Sequence, residues 1–252
     1  MKAVWRLLPA GIAAYVLFLV LSAPAAKLLP YLQPHLSGVR LAGVSGTLWS
    51  GRAAQLTIGS VPLTGVNWGL RPLALLTGAV EYRVKAQLNG QPLTAHVGRG
   101  LFAGAYVSDV SVRVAASDLL FWSGLHQVGV DGDLLVHLDE VENIDAGGLP
   151  AVAGTVTWTP AMVRAPLELN LGEAHLETRI EDGISRGQLT ADGGALTLTG
   201  EVTANPDGHY QLVGEVHKKG QVPQAVGKFL ETFAEFKNGS YHLEWSDQIK
   251  LP

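Results

Sequence analysis

No cysteine occurs among the 252 residues. Disulfides, zinc fingers, iron–sulfur clusters and thiol nucleophiles are excluded together. Charge is also scarce: Asp, Glu, Lys and Arg make up 16% of the chain, against 47% hydrophobic residues. A disordered chain needs the reverse balance. The net charge of −4 lacks the basic footprint of general nucleic-acid binding, so no nucleic-acid partner is expected. Acids are missing altogether before Glu81. Residues 1–80 hold six bases, Lys2, Arg6, Lys27, Arg40, Arg52 and Arg71, while the other 172 residues carry 22 acids against 12 bases. Two parts so different in sign suit different surroundings.

Catalytic and metal patterns are missing too. The eight histidines (35, 96, 126, 137, 175, 209, 217 and 242) form no H-x-H, H-x-x-E-H or H-E-x-x-H arrangement. His137, His175, His217 and His242 fall on the polar phase of predicted strands, where a solvated histidine is expected. Ser45, in Gly43-Val44-Ser45-Gly46, does not form a nucleophile elbow. Gly98-Arg99-Gly100-Leu101-Phe102-Ala103 imitates a dinucleotide fingerprint without its strand–helix unit, and reads as a turn. Asp131-Gly132-Asp133 lacks the rest of a calcium loop, and Asp139, Glu140, Glu142 and Asp145 read as a solvated loop. The expectation is a non-enzyme with no cofactor and no metal.

A long apolar run is present at the N-terminus. Leu7 to Ala26 is uncharged over 20 residues, enough for a helix to span a bilayer core of about 30 Å. Lys2 and Arg6 precede it, so the positive-inside rule places residues 1–6 in the cytoplasm and 27–252 across the membrane. Ala23-Pro24-Ala25 also resembles a signal-peptide cleavage site, and either reading exports the same domain. The uncleaved anchor is the expectation adopted.

The exported part alternates with period two. Val80, Tyr82, Val84, Ala86 and Leu88 interleave with Glu81, Arg83, Lys85 and Gln87, and Asn89-Gly90 then marks a hairpin. Comparable runs pass through Val110–Val114, Leu134–Leu138, Ala174–Ile180, Leu196–Val202, Tyr210–Val216 and Tyr241–Trp245. Turn signals divide them at Asp131-Gly132, Gly147-Gly148, Asp182-Gly183, Asp192-Gly193-Gly194, Asp207-Gly208 and Asn238-Gly239. One amphipathic helix is predicted over Val222–Lys237, from the spacing of Val226, Phe229, Leu230, Phe233 and Phe236, with Asn238-Gly239 as its stop. Ser117-Asp118 reads as a cap on one turn, and Arg71–Thr77 as a short turn begun by Pro72.

Roughly ten strands would therefore share one large apolar face. A single helix cannot cover it, so the sheet must close on itself or stay open with a lined groove. The predicted fold is all-β dominated: a transmembrane helix, then a large curved, mainly antiparallel sheet with one amphipathic helix near the C-terminus. Gly46-Thr47-Leu48-Trp49 and Gly154-Thr155-Val156-Thr157-Trp158 echo each other, which raises the possibility of two related halves. Trp49, Trp68, Trp122 and Trp158 sit near predicted strand ends. They read first as core plugs and second, with Phe229 and Phe233, as a lip or partner site on an apolar groove.

Gly46-Thr47-Leu48-Trp49-Ser50-Gly51-Arg52-Ala53, Val66-Asn67-Trp68-Gly69-Leu70-Arg71-Pro72, Leu75-Leu76 and Gly78, with the later Gly154–Trp158 segment, resemble the type II secretion system protein N family. The resemblance implies an accessory inner-membrane subunit, with its bulk in the periplasm, that supports export of folded proteins across the outer membrane. It also implies other secretion components and inner-membrane lipids as partners, no catalysis, and no binding residues to carry over. The arrangement more distantly resembles the AsmA-like proteins, which implies an alternative: a module that holds a lipid or a hydrophobic segment in a sheet groove.

Overall fold

The structure, a computed structural model, describes residues 15–16, 18–32, 38–101, 104–122, 128–145, 147–165, 168–220 and 222–249. Residues 1–6, and 7–14 and 17 of the expected anchor, lie outside the described residues, as do His35, His126 and the side chain of Phe229. Among the described residues no helix is long and apolar enough to cross a membrane. Residues 15–16 and 18–21 are helical, and α1 (Ala25–Leu32) follows.

Fifteen strands then form one sheet among the described residues. They are β1 (Val39–Ala42), β2 (Ser45–Gly46), β3 (Ser50–Ile58), β4 (Val61–Leu70), β5 (Ala79–Leu88), β6 (Gln91–Gly100), β7 (Ala105–Ala115) and β8 (Gly129–Glu142). The second half holds β9 (Ala151–Ala165), β10 (Leu169–Glu181), β11 (Ile184–Gly193), β12 (Leu196–Ala204), β13 (His209–Lys218), β14 (Ala234–Lys237) and β15 (Ser240–Gln248). The order is β1-β3-β4 and onward in sequence to β13, then β15-β14, with β2 beside β3 and every pairing antiparallel. This is an up-and-down meander whose outer strands are β1 and β14, so the sheet is open. We call the end where β3 starts and β4 stops the lower rim, and the opposite end the upper rim.

The sheet bends sharply in its second half. Flat neighbours lie about 4.8 Å apart, so strands two apart should be separated by about 9.6 Å. Yet β9 and β11 approach within 8 Å between Cα atoms, and so do β10 and β12. Ser185 Oγ reaches past β10 to accept the Val152 N–H at 2.8 Å. Leu149 N–H donates to Pro206 O at 2.9 Å, a chord from the β8–β9 connection to the β12–β13 turn.

Asn89-Gly90 makes the hairpin that its sequence predicts, with φ of 50° and 80°. Other expectations need correction. The helix expected over Val222–Lys237 is α3 (Gln224–Phe233), and residues Ala234–Lys237 are β14. Asn238-Gly239, with φ of 53° and 88°, is a hairpin turn between β14 and β15 and not a helix stop. The ladder to β15 satisfies backbone groups that another helical turn would have left at an open edge. Asp131-Gly132 is not a turn but a bulge inside β8, opposite β9. Trp158 Nε1 donates to Asp131 O there at 2.9 Å, and a Cβ on Gly132 would stand 2.0 Å from Pro160 O. Ser117-Asp118 does not cap a helix. The helix α2 (Ala116–Trp122) begins one residue earlier, and the Asp118 carboxylate accepts from Asn89 Nδ2 at 2.6 Å.

Two cores lie on the same side of the sheet. In the first half Ala53, Leu63, Val66, Ala86, Leu88 and Val114 are buried, with Trp68 and Trp122 packed against them. Ser60 Oγ donates to Trp122 O at 3.1 Å, so α2 crosses the upper rim from β7 back to the β3–β4 turn. In the second half Val226 and Leu230 of α3 pack on Leu196, Leu198, Val216 and Tyr241. Each such aliphatic side chain contributes about 1.5–3 kcal/mol when fully buried. Both helices therefore cover the upper part of the inner face. The two echoed segments occupy different places: Gly46–Trp49 forms an edge connection, whereas Gly154–Trp158 lies within β9.

Candidate functional site

The inner face is uncovered towards the lower rim in the first half. Val80 and Tyr82 on β5 share the phase of Val84, Ala86 and Leu88. Cross-strand register sets Val97 beside Tyr82, and Val107 beside Val97. These positions continue the apolar stripe of the core, but among the described residues nothing packs over them. Val80 is 40% exposed, Val97 41% and Leu101 75%. With Ala105 they line an open trough of about 550 Å3. Desolvation among these neighbours raises the Tyr82 phenol above its ordinary value. Such a trough offers dispersion and desolvation to an apolar occupant and holds no nucleophile paired with a base.

The predicted aromatic residues divide between plugs and seams. Trp68 packs against Gly51, and its Nε1 donates to Leu48 O at 3.1 Å and Thr47 O at 3.3 Å. Trp122 closes the upper rim, and Trp158 ties β9 to the β8 bulge. Trp49 works differently. Its Nε1 donates to Val20 O at 2.7 Å, across 29 residues, to the end of the N-terminal helix. Leu48 N–H donates to Ala23 O at 3.1 Å, and Pro24 forms a bridge with Thr47. The Gly-Thr-Leu-Trp segment is thus a seam between that helix and the lower rim. Phe233 lies at the end of α3, 51% exposed, with its ring 6.3 Å from that of Trp245. These residues do not gather into one aromatic lip.

A charged cluster on the outer face escaped the sequence reading. Arg71 Nη1 pairs with Glu81, whose other oxygen accepts from Tyr106 Oη at 3.0 Å. Arg83 Nε donates to His96 Nε2 at 3.2 Å, which leaves Nδ1 to face Asp109 Oδ2 at 2.8 Å. Burial first, and then the Glu81 bond, raise the Tyr106 phenol. The Tyr106 ring also covers Gly98, where a Cβ would meet it at 2.4 Å. Positions 71, 81, 83, 96, 106 and 109 share no local motif, and only strand register unites them. Arg71 N–H donates to Glu81 O at 2.8 Å, so the cluster fixes the 3-10 turn Pro72–Thr77 to the lower rim. Among the described residues no group of three or more His, Asp or Glu is arranged to hold a metal.

The family described as type II secretion system (T2SS), protein N matches residues 37–244. A protein named type II secretion system protein N from Pectobacterium carotovorum subsp. carotovorum is 26% identical over 226 residues, covering 88% of this chain and 87% of the relative. Its namesake from Aeromonas hydrophila is 28% identical over 230 residues, covering 87% and 88%. One from Vibrio cholerae is 26% identical over 208 residues, covering 78% and 79%. No solved structure matches the chain significantly. The match runs from the residue before Gly38 to the middle of β15 and includes the trough and the Gly46–Trp49 side of the seam; this chain belongs to the type II secretion system protein N family.

Proposed function

We propose that the chain is an accessory inner-membrane subunit of the type II secretion system. In this reading the N-terminal helix is an uncleaved anchor over 7–26, with residues 1–6 cytoplasmic and 27–252 periplasmic. The subunit supports export of folded proteins by binding another component of the apparatus through the trough, and it performs no catalytic step. Family membership supports the secretion role. The helical residues Tyr15, Val16, Phe18, Leu19, Val20 and Leu21 are 46–65% exposed, as a bilayer-facing segment would be outside its bilayer.

The observation that carries the binding role is the uncovered lower end of the inner face in the first half, with Val80, Val97 and Leu101 open beside a packed core. Its test is secretion by cells whose own copy is replaced with Val97→Glu. A charge there should impair export while the purified variant keeps the wild-type unfolding midpoint. Export at the wild-type level would remove the trough from the function. A second reading, a lipid- or hydrophobe-holding module, is favoured by one feature. The trough opens at the lower rim, where the N-terminal helix is also seated. Copurifying lipid that Val97→Glu displaces would select it.

A further inference from the structure

Three leucines stand out on the 3-10 turn Pro72–Thr77. Leu73 is 74% exposed, Leu75 50% and Leu76 84%. A connection of this kind is normally polar, and clustered exposed leucines call for a partner. The turn is not loose. Arg71 anchors its start to Glu81 twice, and Gly78 N–H closes its end on Leu75 O at 3.2 Å. Leu101, 75% exposed, extends the patch from the next connection of the same rim. Its N–H donates to Gly78 O at 2.9 Å.

The patch is continuous with the N-terminal helix. Trp49 holds Val20 O through its indole, while its own carbonyl accepts the Leu70 N–H at 2.7 Å. Leu70 leads through Arg71 into the leucine turn. Helix, turn and Leu101 therefore follow one another along the lower rim from β3 to β7, four strand spacings or about 19 Å. No acid lies between residues 28 and 80, and Lys27 is exposed where the helix meets this rim. Basic residues favour anionic headgroups and fail to repel them.

We propose that Leu73, Leu75, Leu76 and Leu101 form a second membrane contact, an apolar rim that seats the lower end of the sheet in the bilayer surface next to the helix. The occupant is the lipid bilayer. The proposal rests on the reading that the helix enters the same membrane. It adds that the sheet is held against that membrane, not tethered at a distance, and that the trough mouth lies at headgroup level.

The cysteine-free chain makes the test direct. Single cysteines replace Leu76, Leu101, Phe18 and Gln91 in the full chain, the last lying on the upper rim. Each is given a thiol-reactive fluorophore and reconstituted in phosphatidylethanolamine–phosphatidylglycerol vesicles with brominated acyl chains. Leu76→Cys and Leu101→Cys should both be quenched, approaching Phe18→Cys, while Gln91→Cys is not. Two unquenched rim labels beside a quenched Phe18→Cys overturn the rim and leave the anchor standing. Quenching at neither the rim nor position 18 overturns both. A rim label shielded from water yet untouched by bromolipid shows a protein occupant, a second copy or another subunit, and overturns the bilayer assignment.

Discussion

Gly51 on β3 is where the seam can be broken with one carbon. A Cβ at this position would stand 2.4 Å from Trp68 Cζ2, 2.7 Å from Cε2 and 2.8 Å from Ser45 O. Neither backbone nor a packed indole yields cheaply, and overpacking of this kind costs about 1–3 kcal/mol. Displacing the ring also breaks the Nε1 bond shared between Thr47 O and Leu48 O, worth about 0.5–1.5 kcal/mol. Gly51→Ala should therefore destabilise by about 2–4 kcal/mol. Gly69, a neighbour on β4, has nothing within 4 Å of its Cβ position. Gly69→Ala should be neutral, or stabilise by about 0.4–1 kcal/mol by restricting the unfolded chain. Urea unfolding of the detergent-solubilised full chain, followed by tryptophan emission, measures both. Gly51→Ala within 0.5 kcal/mol of wild type, or equal to Gly69→Ala, would refute the packing argument.

Trp49→Phe should leave the global midpoint unchanged but speed exchange of the Leu48 amide, since it deletes only the bond to Val20 O; amide exchange followed by mass spectrometry reads this. Leu230→Ala should cost about 2–5 kcal/mol, because Leu230 is 4% exposed under α3. Phe233→Ala should cost less, about 1–3 kcal/mol, because half of its ring is exposed and only the other half packs, in part on Trp245. Equal unfolding midpoints for the two variants would reject the assigned seating of α3. Asp192 is held below the usual carboxylate range, first by Lys219 Nζ and then by the Gly193 N–H. A depressed pKa contributes stability above the unfolded value of about 3.9 that is lost as pH falls through the folded one. Asp192→Asn should thus lower the urea midpoint at pH 7 and narrow the gap from wild type at pH 3, where an undiminished gap would count against the ion pair.

The strands were legible where one face is wet. Val80–Leu88 and Ala174–Ile180 alternate cleanly, and Asn89-Gly90 and Asp182-Gly183 close their hairpins as read. Phe236 misled because its three-residue spacing from Phe233 fits a helix face, whereas the chain uses Asn238-Gly239 to pair Phe236 with Tyr241, ring centroids 4.9 Å apart. Asp131-Gly132 misled because the same dipeptide serves a turn and a bulge, and only the approach of Trp158 and Pro160 decides between them. Strands β1 to β4 are short or rich in Gly, Ala and Thr, so their periodicity is weak, and the strand total rose from about ten to fifteen. The Glu81–His96–Asp109 cluster and the Trp49–Val20 seam join residues separated by up to 29 positions. Such contacts are set by register and packing, which no local pattern encodes.

The claim that the open trough is the working surface is tested most directly by placing a photo-reactive side chain at Val97 in cells engaged in secretion. A control probe goes at Lys85, on the outer face. The account predicts an adduct from position 97 with another component of the secretion apparatus, identified by mass, and none from position 85. No adduct at 97, or the same adducts from both faces, would contradict it.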